Sequence, residues 1–424
     1  MNKPKEKAKI NDTRLLGYWN DKKTPVYDIT SAHGFNQMIG YVKHINAECG
    51  TVLYRGQAVL HEKLIPSILH GNPDDKETQE RESLLEKYTN NILDDAKMND
   101  LLHFDQDTQN RLFYKRYVTE SMLQHYGFRT HFQDFVDNHW TALWFGLYEF
   151  QKENMDSSGG HPNHYYCYYK KREAKYSDKR KKPDCLILKE PELKPLPNQP
   201  ELHDTSLPAD YSLDMLQSSK LKKQISRIEN EHKQQQAIQA AYRKILRDKE
   251  RSNHLRIENW KNECKRIQSE NENTIKQYHI DQESDIAYVY ILLYVADTKG
   301  DNFKGVYAGT EIITIDLRKS IPSTLLRPCA QHGWTVKRMG NDHDLSDGVV
   351  CIIRLTVDLV SQMMGDGLLV KQENFFPPPK YDLGYRTLLD REEPAPFGNP
   401  PPKNLRDLPS LFPFGTLQHY IEKE

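Results

Sequence analysis

The chain has 424 residues, and its 59 Lys+Arg against 60 Asp+Glu leave a formal net charge of -1, so no global field draws it to nucleic acid or to an anionic membrane. Any polyanion must be held by a local patch. Charged residues reach 28%, which is polar for an enzyme and points to a solvated helical or irregular stretch somewhere along the chain.

Residues 1–25 are polar and read as a loosely held arm, basic at its start but without the apolar core of a leader. Tyr27 to Ile29 is the first candidate strand. From Ala32 to Ile45 the apolar residues Phe35, Met38, Ile39, Val42 and Ile45 recur at three- and four-residue steps, which predicts a helix with one buried face. Thr51 to Tyr54 reads as a short strand running out into Arg55-Gly56-Gln57. Helical spacing returns over 77–102 and again from Asp107 to His125, and TALWFGLYEF, Thr141 to Phe150, is apolar nearly all round, as a buried helix is.

Beyond 155 the character changes. Residues 156–212 are rich in tyrosine and then in proline, which forbids a continuous helix, and they read as a linker. Between 213 and 280 there is no proline or glycine, and apolar residues from Leu221 to Ile267 keep an interrupted three/four spacing. That pattern predicts a helical or coiled-coil insertion. It is either one very long helix or a hairpin that bends near Arg251 to His254. Ile286 to Ala296 is rich in β-branched and aromatic residues and predicts a buried strand, with further strands at Glu311 to Asp316 and Val349 to Leu359. From 373 to 424 the chain is proline-rich and is expected to wrap the surface with little regular structure. The organisation is therefore a first part at 26–155, the linker, the insertion, a second part at 281–372 and a tail. The fold class is α+β: a mixed central sheet with flanking helices, interrupted by the insertion.

Two segments stand out chemically. In Tyr54-Arg55-Gly56-Gln57 an arginine stands beside a glycine that permits close backbone approach. In LQHYGFRTHFQDF, Leu123 to Phe135, the residues His125, Tyr126, Arg129, Thr130, His131 and Asp134 crowd into ten positions, more polar groups than a connecting loop requires. Six cysteines stand without CxxC pairs or histidines at ligand spacing, so reduced structural thiols and no metal site are expected. No stretch approaches the ~18 apolar residues of a membrane span, and a cytoplasmic protein without membrane contact follows as the expectation.

These segments resemble the FRG domain family. Tyr54-Arg55-Gly56 stands where the family has its aromatic-Arg-Gly signature. Gln124-His125-Tyr126-Gly127, Thr130, Asp134 and Ala142-Leu143-Trp144-Phe145 match its second block, and Arg327 with Gln331-His332-Gly333-Trp334 matches a third. His131 departs from the arginine usual after the threonine, and Arg129 is the nearest substitute. The layout is in turn similar to that of ADP-ribosyltransferases.

What the resemblance implies is a transfer of ADP-ribose from NAD. Arg55 would grip the pyrophosphate bidentately, with Gly56, Gln57, Gly127, Arg129 and Thr130 completing the cofactor side. His125, Tyr126, Asp134 and Gln331, with Glu311 as a further late residue, would orient the ribose and the acceptor. No Glu-x-Glu pair occurs in the third block, so the residue that activates the acceptor is unassigned. The expected function is an NAD-dependent ADP-ribosyltransferase, a toxin or anti-phage effector acting on nucleic acid or protein, with an antitoxin or other partner on the helical insertion. A non-enzymatic ligand-binding module and a nuclease stay open beside it. So do plainer roles: Arg55 in a core ion pair, His125 and Tyr126 closing a helix, Asp134 capping the helix at 141, and Gln331 in a turn.

Overall fold

The computed structural model describes residues 10–20, 24–71, 73–104, 111–126, 128–154, 165–206, 214, 216, 218–299, 302–340, 342–367, 370–377 and 382–384. Two compact units divide the chain, one made of 1–189 with 282–424 and the other of 190–281.

The larger unit is built on a mixed, largely antiparallel sheet flanked by helices. In chain order its first elements are β1 (Thr13–Trp19), β2 (Thr24–Ile29), α1 (Ala32–Asn46), β3 (Thr51–Gln57), α2 (Asp75–Asp94), α3 (Ala96–Leu101) and α4 (Leu112–His125). After these come β4 (Gln133–Val136), α5 (His139–Leu147), β5 (Tyr148–Asn154), β6 (Tyr165–Lys171), β7 (Lys175–Lys181) and β8 (Leu186–Leu188). The smaller unit contributes α6 (Ser219–Ile225) and α7 (Glu231–Gln282). The larger unit then resumes with β9 (Glu283–Ile286), β10 (Tyr288–Ala296), β11 (Asn302–Phe303), β12 (Val306–Ala308), β13 (Ile312–Asp316) and α8 (Leu317–Ser320). It ends with α9 (Leu326–Ala330), β14 (Gly333–Arg338), β15 (Val349–Thr356), α10 (Val357–Met363) and α11 (Gln372–Phe375).

Among the described residues eleven strands lie in the order β11-β12-β13-β14-β4-β3-β10-β15-β2-β1-β8. Every neighbouring pair is antiparallel except β15 with β2. β10 sits near the middle, and its period-two alternation serves both faces. Val289, Ile291 and Leu293 enter the core under α1, α5 and α10, whereas Tyr290, Leu292 and Tyr294 enter the opposite core with Trp19, Leu53 and Phe135. A third core packs α2 and α4 against β12 and β13.

Helix starts follow ordinary capping chemistry. Ser31 accepts from Gly34 N, Asp74 from Glu77 N and Asn138 from Trp140 N, each satisfying an orphan donor of a first turn. The cap of α5 is thus Asn138, not Asp134.

Thr141 to Phe150, expected as a helix, passes from α5 into β5 at Tyr148, and Val349 to Leu359, expected as a strand, passes from β15 into α10 at Val357. Three further stretches also differ from expectation. The polar start contains β1, because strand β2 offers it a partner from Thr13 to Trp19 and Trp19 is buried. The stretch expected to be a linker carries β6, β7 and β8, paired with β5, β9 and β1; its tyrosine content is β-propensity that the neighbouring prolines masked. The start of the tail packs inward, with Phe376 and Asp382 fully buried.

In the smaller unit α7 is one helix of 52 residues, about 78 Å long at the ordinary rise, and it does not bend at Arg251 to His254. Without glycine or proline nothing local breaks the ladder there. The chain turns between Ile225 and Glu231 instead, and Leu216, Ile225, Ile238, Ala241 and Tyr242 form a small core. The proline-laced segment 190–206 runs back along the helix. Its carbonyls at Pro197, Glu201, His203 and Asp204 accept from Trp260, Arg256, Asn253 and Lys249, which satisfies an extended backbone that cannot form a ladder of its own.

Candidate functional site around Asp134

Only one residue pair, Tyr54 with Val136, joins β3 to β4. Past it the strands part, and Nη1 of Arg55 donates to the main-chain carbonyl of Asp134 at 2.7 Å. The buried Nε of the same guanidinium has no acceptor among the described residues. Burial lowers the Arg55 pKa from its ordinary value, with the Asp134 carboxylate opposing. The same Arg55 charge, after burial, also lowers His61 and His70, so positive potential gathers on this side of β3.

Asp134 is the meeting point. Its Oδ2 accepts from Nε2 of Gln124 at 2.9 Å, and its Oδ1 stands 3.5 Å from Nε2 of His125. Neither that Oδ1 nor that Nε2 has a hydrogen-bond partner among the described residues. On the far side of the ring, Nδ1 of His125 lies 3.1 Å from Oε1 of Gln331, and Nε2 of Gln331 donates to the carbonyl of Phe375. His125 is 4% exposed; burial lowers its pKa, against Asp134, and Arg327 lowers it further.

The remaining expected residues divide. Thr130 belongs to the group at one remove: its hydroxyl donates to Oε1 of Gln124, which also accepts from Ser67, so it orients the amide that holds Asp134. Tyr126 turns away, donating to Oδ1 of the buried Asp382, whose Oδ2 accepts from Arg327 N. This makes Tyr126 a tie between α4 and the chain after 381. Gly56 serves packing, because a Cβ there would lie 1.7 Å from the carbonyl oxygen of Ala142 in α5. Gln57 is a paired strand residue opposite Tyr290. Arg129 lies toward Arg81 and Glu77, whose charges act on it after burial. Glu311 is exposed, at the end of β13 away from Gly333. Gly127 lies outside the described residues.

Arg55, His125, Asp134 and Gln331 therefore converge, and the strands that carry the site are interior to the sheet. Gln124 and the Phe375 carbonyl were missed. Gln124 was legible in the Gln-His-Tyr-Gly motif, one residue from His125; a main-chain carbonyl leaves no trace in sequence.

The geometry belongs to an α+β unit that presents an arginine, a histidine and an aspartate from interior strands and one helix end. Residues 50–155 match the family model of the FRG domain, and an FRG domain is present there. No curated protein sequence matches the chain, and no solved structure does. Among the described residues no helix is long and apolar enough to cross a membrane, and no group of three or more His, Cys, Asp or Glu side chains is placed to hold a metal ion.

Proposed function

We propose that the FRG unit is an NAD-dependent ADP-ribosyltransferase. The observation that carries this reading is the unanswered Nε donor of Arg55, a shielded cationic atom on a residue that also bonds the Asp134 carbonyl, beside His125 and Asp134, whose Nε2 and Oδ1 have no hydrogen-bond partner among the described residues. An orphan buried donor costs free energy unless a ligand supplies an acceptor, and a pyrophosphate oxygen is an acceptor of matching charge. Nicotinamide departure builds positive charge on the ribose, and the Asp134 carboxylate is the group that would stabilise it. Such a transferase fits a toxin or antiviral effector that modifies a nucleic acid or a protein and is held in check by a partner protein.

Nicotinamide release from NAD by the full-length chain tests the reading. Arg55→Ala is expected to weaken NAD binding by at least about tenfold, the worth of a charge-assisted hydrogen bond, with a melting temperature close to the parent. Equal NAD affinity in the variant would make Arg55 structural. Metal-dependent nucleic-acid cleavage without NAD turnover would favour a nuclease instead.

A further inference from the structure

The side-chain amide of Gln331 can sit only one way round. Its Nε2 must face the Phe375 carbonyl, since the reverse orientation would set two acceptors against each other, and Oε1 therefore accepts from His125. That fixes the proton of the neutral ring on Nδ1 and leaves a lone pair on Nε2.

This lone pair looks at the Oδ1 of Asp134 across 3.5 Å, and both atoms are shielded and without a donor. Gly333 keeps the place open: a Cβ there would stand 2.9 Å from Nε2 and 2.7 Å from Cε1 of His125. Two acceptors this close repel unless an O–H or N–H placed beside the pair donates to them. Asp134 is the more exposed partner, its side chain 40% exposed against 3% for His125.

We propose that Nε2 of His125 is the base that takes the proton of a neutral hydroxyl acceptor, water included, with the Asp134 carboxylate as its counter-charge. The proposal rests on the transferase reading above and supplies the acceptor-activating group that sequence left unassigned. A hydroxyl is the acceptor class that suits the surroundings. A guanidinium or ammonium would bring positive charge toward Arg55 and toward Arg327, whose charge already reaches His125; a carboxylate has no proton to give and would meet Asp134. An alcohol or water brings a donor and no charge.

In the step itself the acceptor O–H proton passes to Nε2 and the oxygen forms a bond to the anomeric carbon. The bond from that carbon to the nicotinamide nitrogen breaks, its electron pair neutralising the pyridinium. Neutral nicotinamide leaves, and the imidazolium returns its proton to solvent past Asp134.

Full-length protein is incubated with NAD in water, with methanol, and with agmatine as a guanidinium acceptor. The expected products are ADP-ribose and its methyl glycoside, with no agmatine adduct. His125→Gln is expected to lower nicotinamide release about a hundredfold, the scale of a lost general base, while NAD affinity stays within about threefold of the parent, a difference under 1 kcal/mol. Asp134→Asn, on a half-exposed side chain, should lower release at least about tenfold and guards against a misfolded His125 variant. Nitrogen-15 NMR of the imidazole at pH 7.5 should show the proton on Nδ1. An agmatine adduct, an undiminished rate in either variant, or the proton on Nε2 overturns the inference and leaves the transferase reading standing. A parent protein that does not turn over NAD overturns both.

Discussion

Glu120 and His131 show what a single substitution of side-chain type does to a polar cluster. His131 stands where the family resemblance expects arginine, and it faces away from Asp134: its Nδ1 and backbone N both lie 2.9 Å from Oε1 of Glu120, and its Nε2 lies 3.4 Å from Glu82. Lys337 takes the other oxygen of Glu120 at 3.0 Å. Burial raises the Glu120 carboxyl, but the His131 hydrogen bond and the Lys337 charge outweigh it and hold the group at about 2, below its ordinary 4.5. A depressed carboxyl stabilises the fold above its unfolded value and loses that contribution as pH falls, here between about 4.5 and about 2. Up to about 3 kcal/mol is at stake. Glu120→Gln is expected to lower stability at neutral pH by roughly that amount and to flatten the decline from pH 5 to pH 3 in urea titrations. A variant that keeps the parental slope would show that other carboxyls govern acid unfolding.

At the scale of elements, β3 and α5 are the pair on which the site depends. Gly56 lets the strand approach the Ala142 carbonyl of α5, and the Tyr54 side chain beside it is buried in the core under α1. Gly56→Ala would push the helix off the sheet, an overpacking cost of about 3 kcal/mol, and should lower the melting temperature by about 5 °C or more. If the variant melts like the parent yet loses NAD binding, the glycine serves a ligand and not packing. Arg55 was read as leaving a strand end, whereas β3 continues through Gln57 because β10 pairs with it as far as Tyr290. Where a strand stops is decided by its partner. The helices were legible because their apolar spacing is local: Ala32 to Ile45 was expected and Ala32–Asn46 is formed. Strands β7 and β8 were not, since each owes its pairing to a segment far away in sequence, β9 and β1, and β6 was not because β5, its partner just before it, was itself read as the end of a helix.

For the whole molecule, the unit 190–281 interrupts a sheet that is complete without it. β8 closes one edge of that sheet and β10 lies near its centre, so the strands on either side of the interruption pair within the larger unit. Replacing Glu190–Asp281 with a short flexible linker is expected to leave a protein that unfolds in a single cooperative transition, with a melting temperature near the parent. A broad or absent transition would mean that the larger unit borrows stability from the insertion.

What this sequence determined alone is whatever depends on neighbours within a few residues. Helical stripes, the run free of glycine and proline that carries α7, and the motif segments that mark the FRG domain all belong to that class. The tertiary structure alone decided which polar groups meet. His125 and Gln331 are 206 residues apart and share a hydrogen bond, while Tyr126, next to His125, turns to Asp382. Adjacent positions near a helix end point in different directions, so a cluster of polar residues in sequence names the candidates. Only the packing of β3, β4, α4 and α9 selects the ones that face each other.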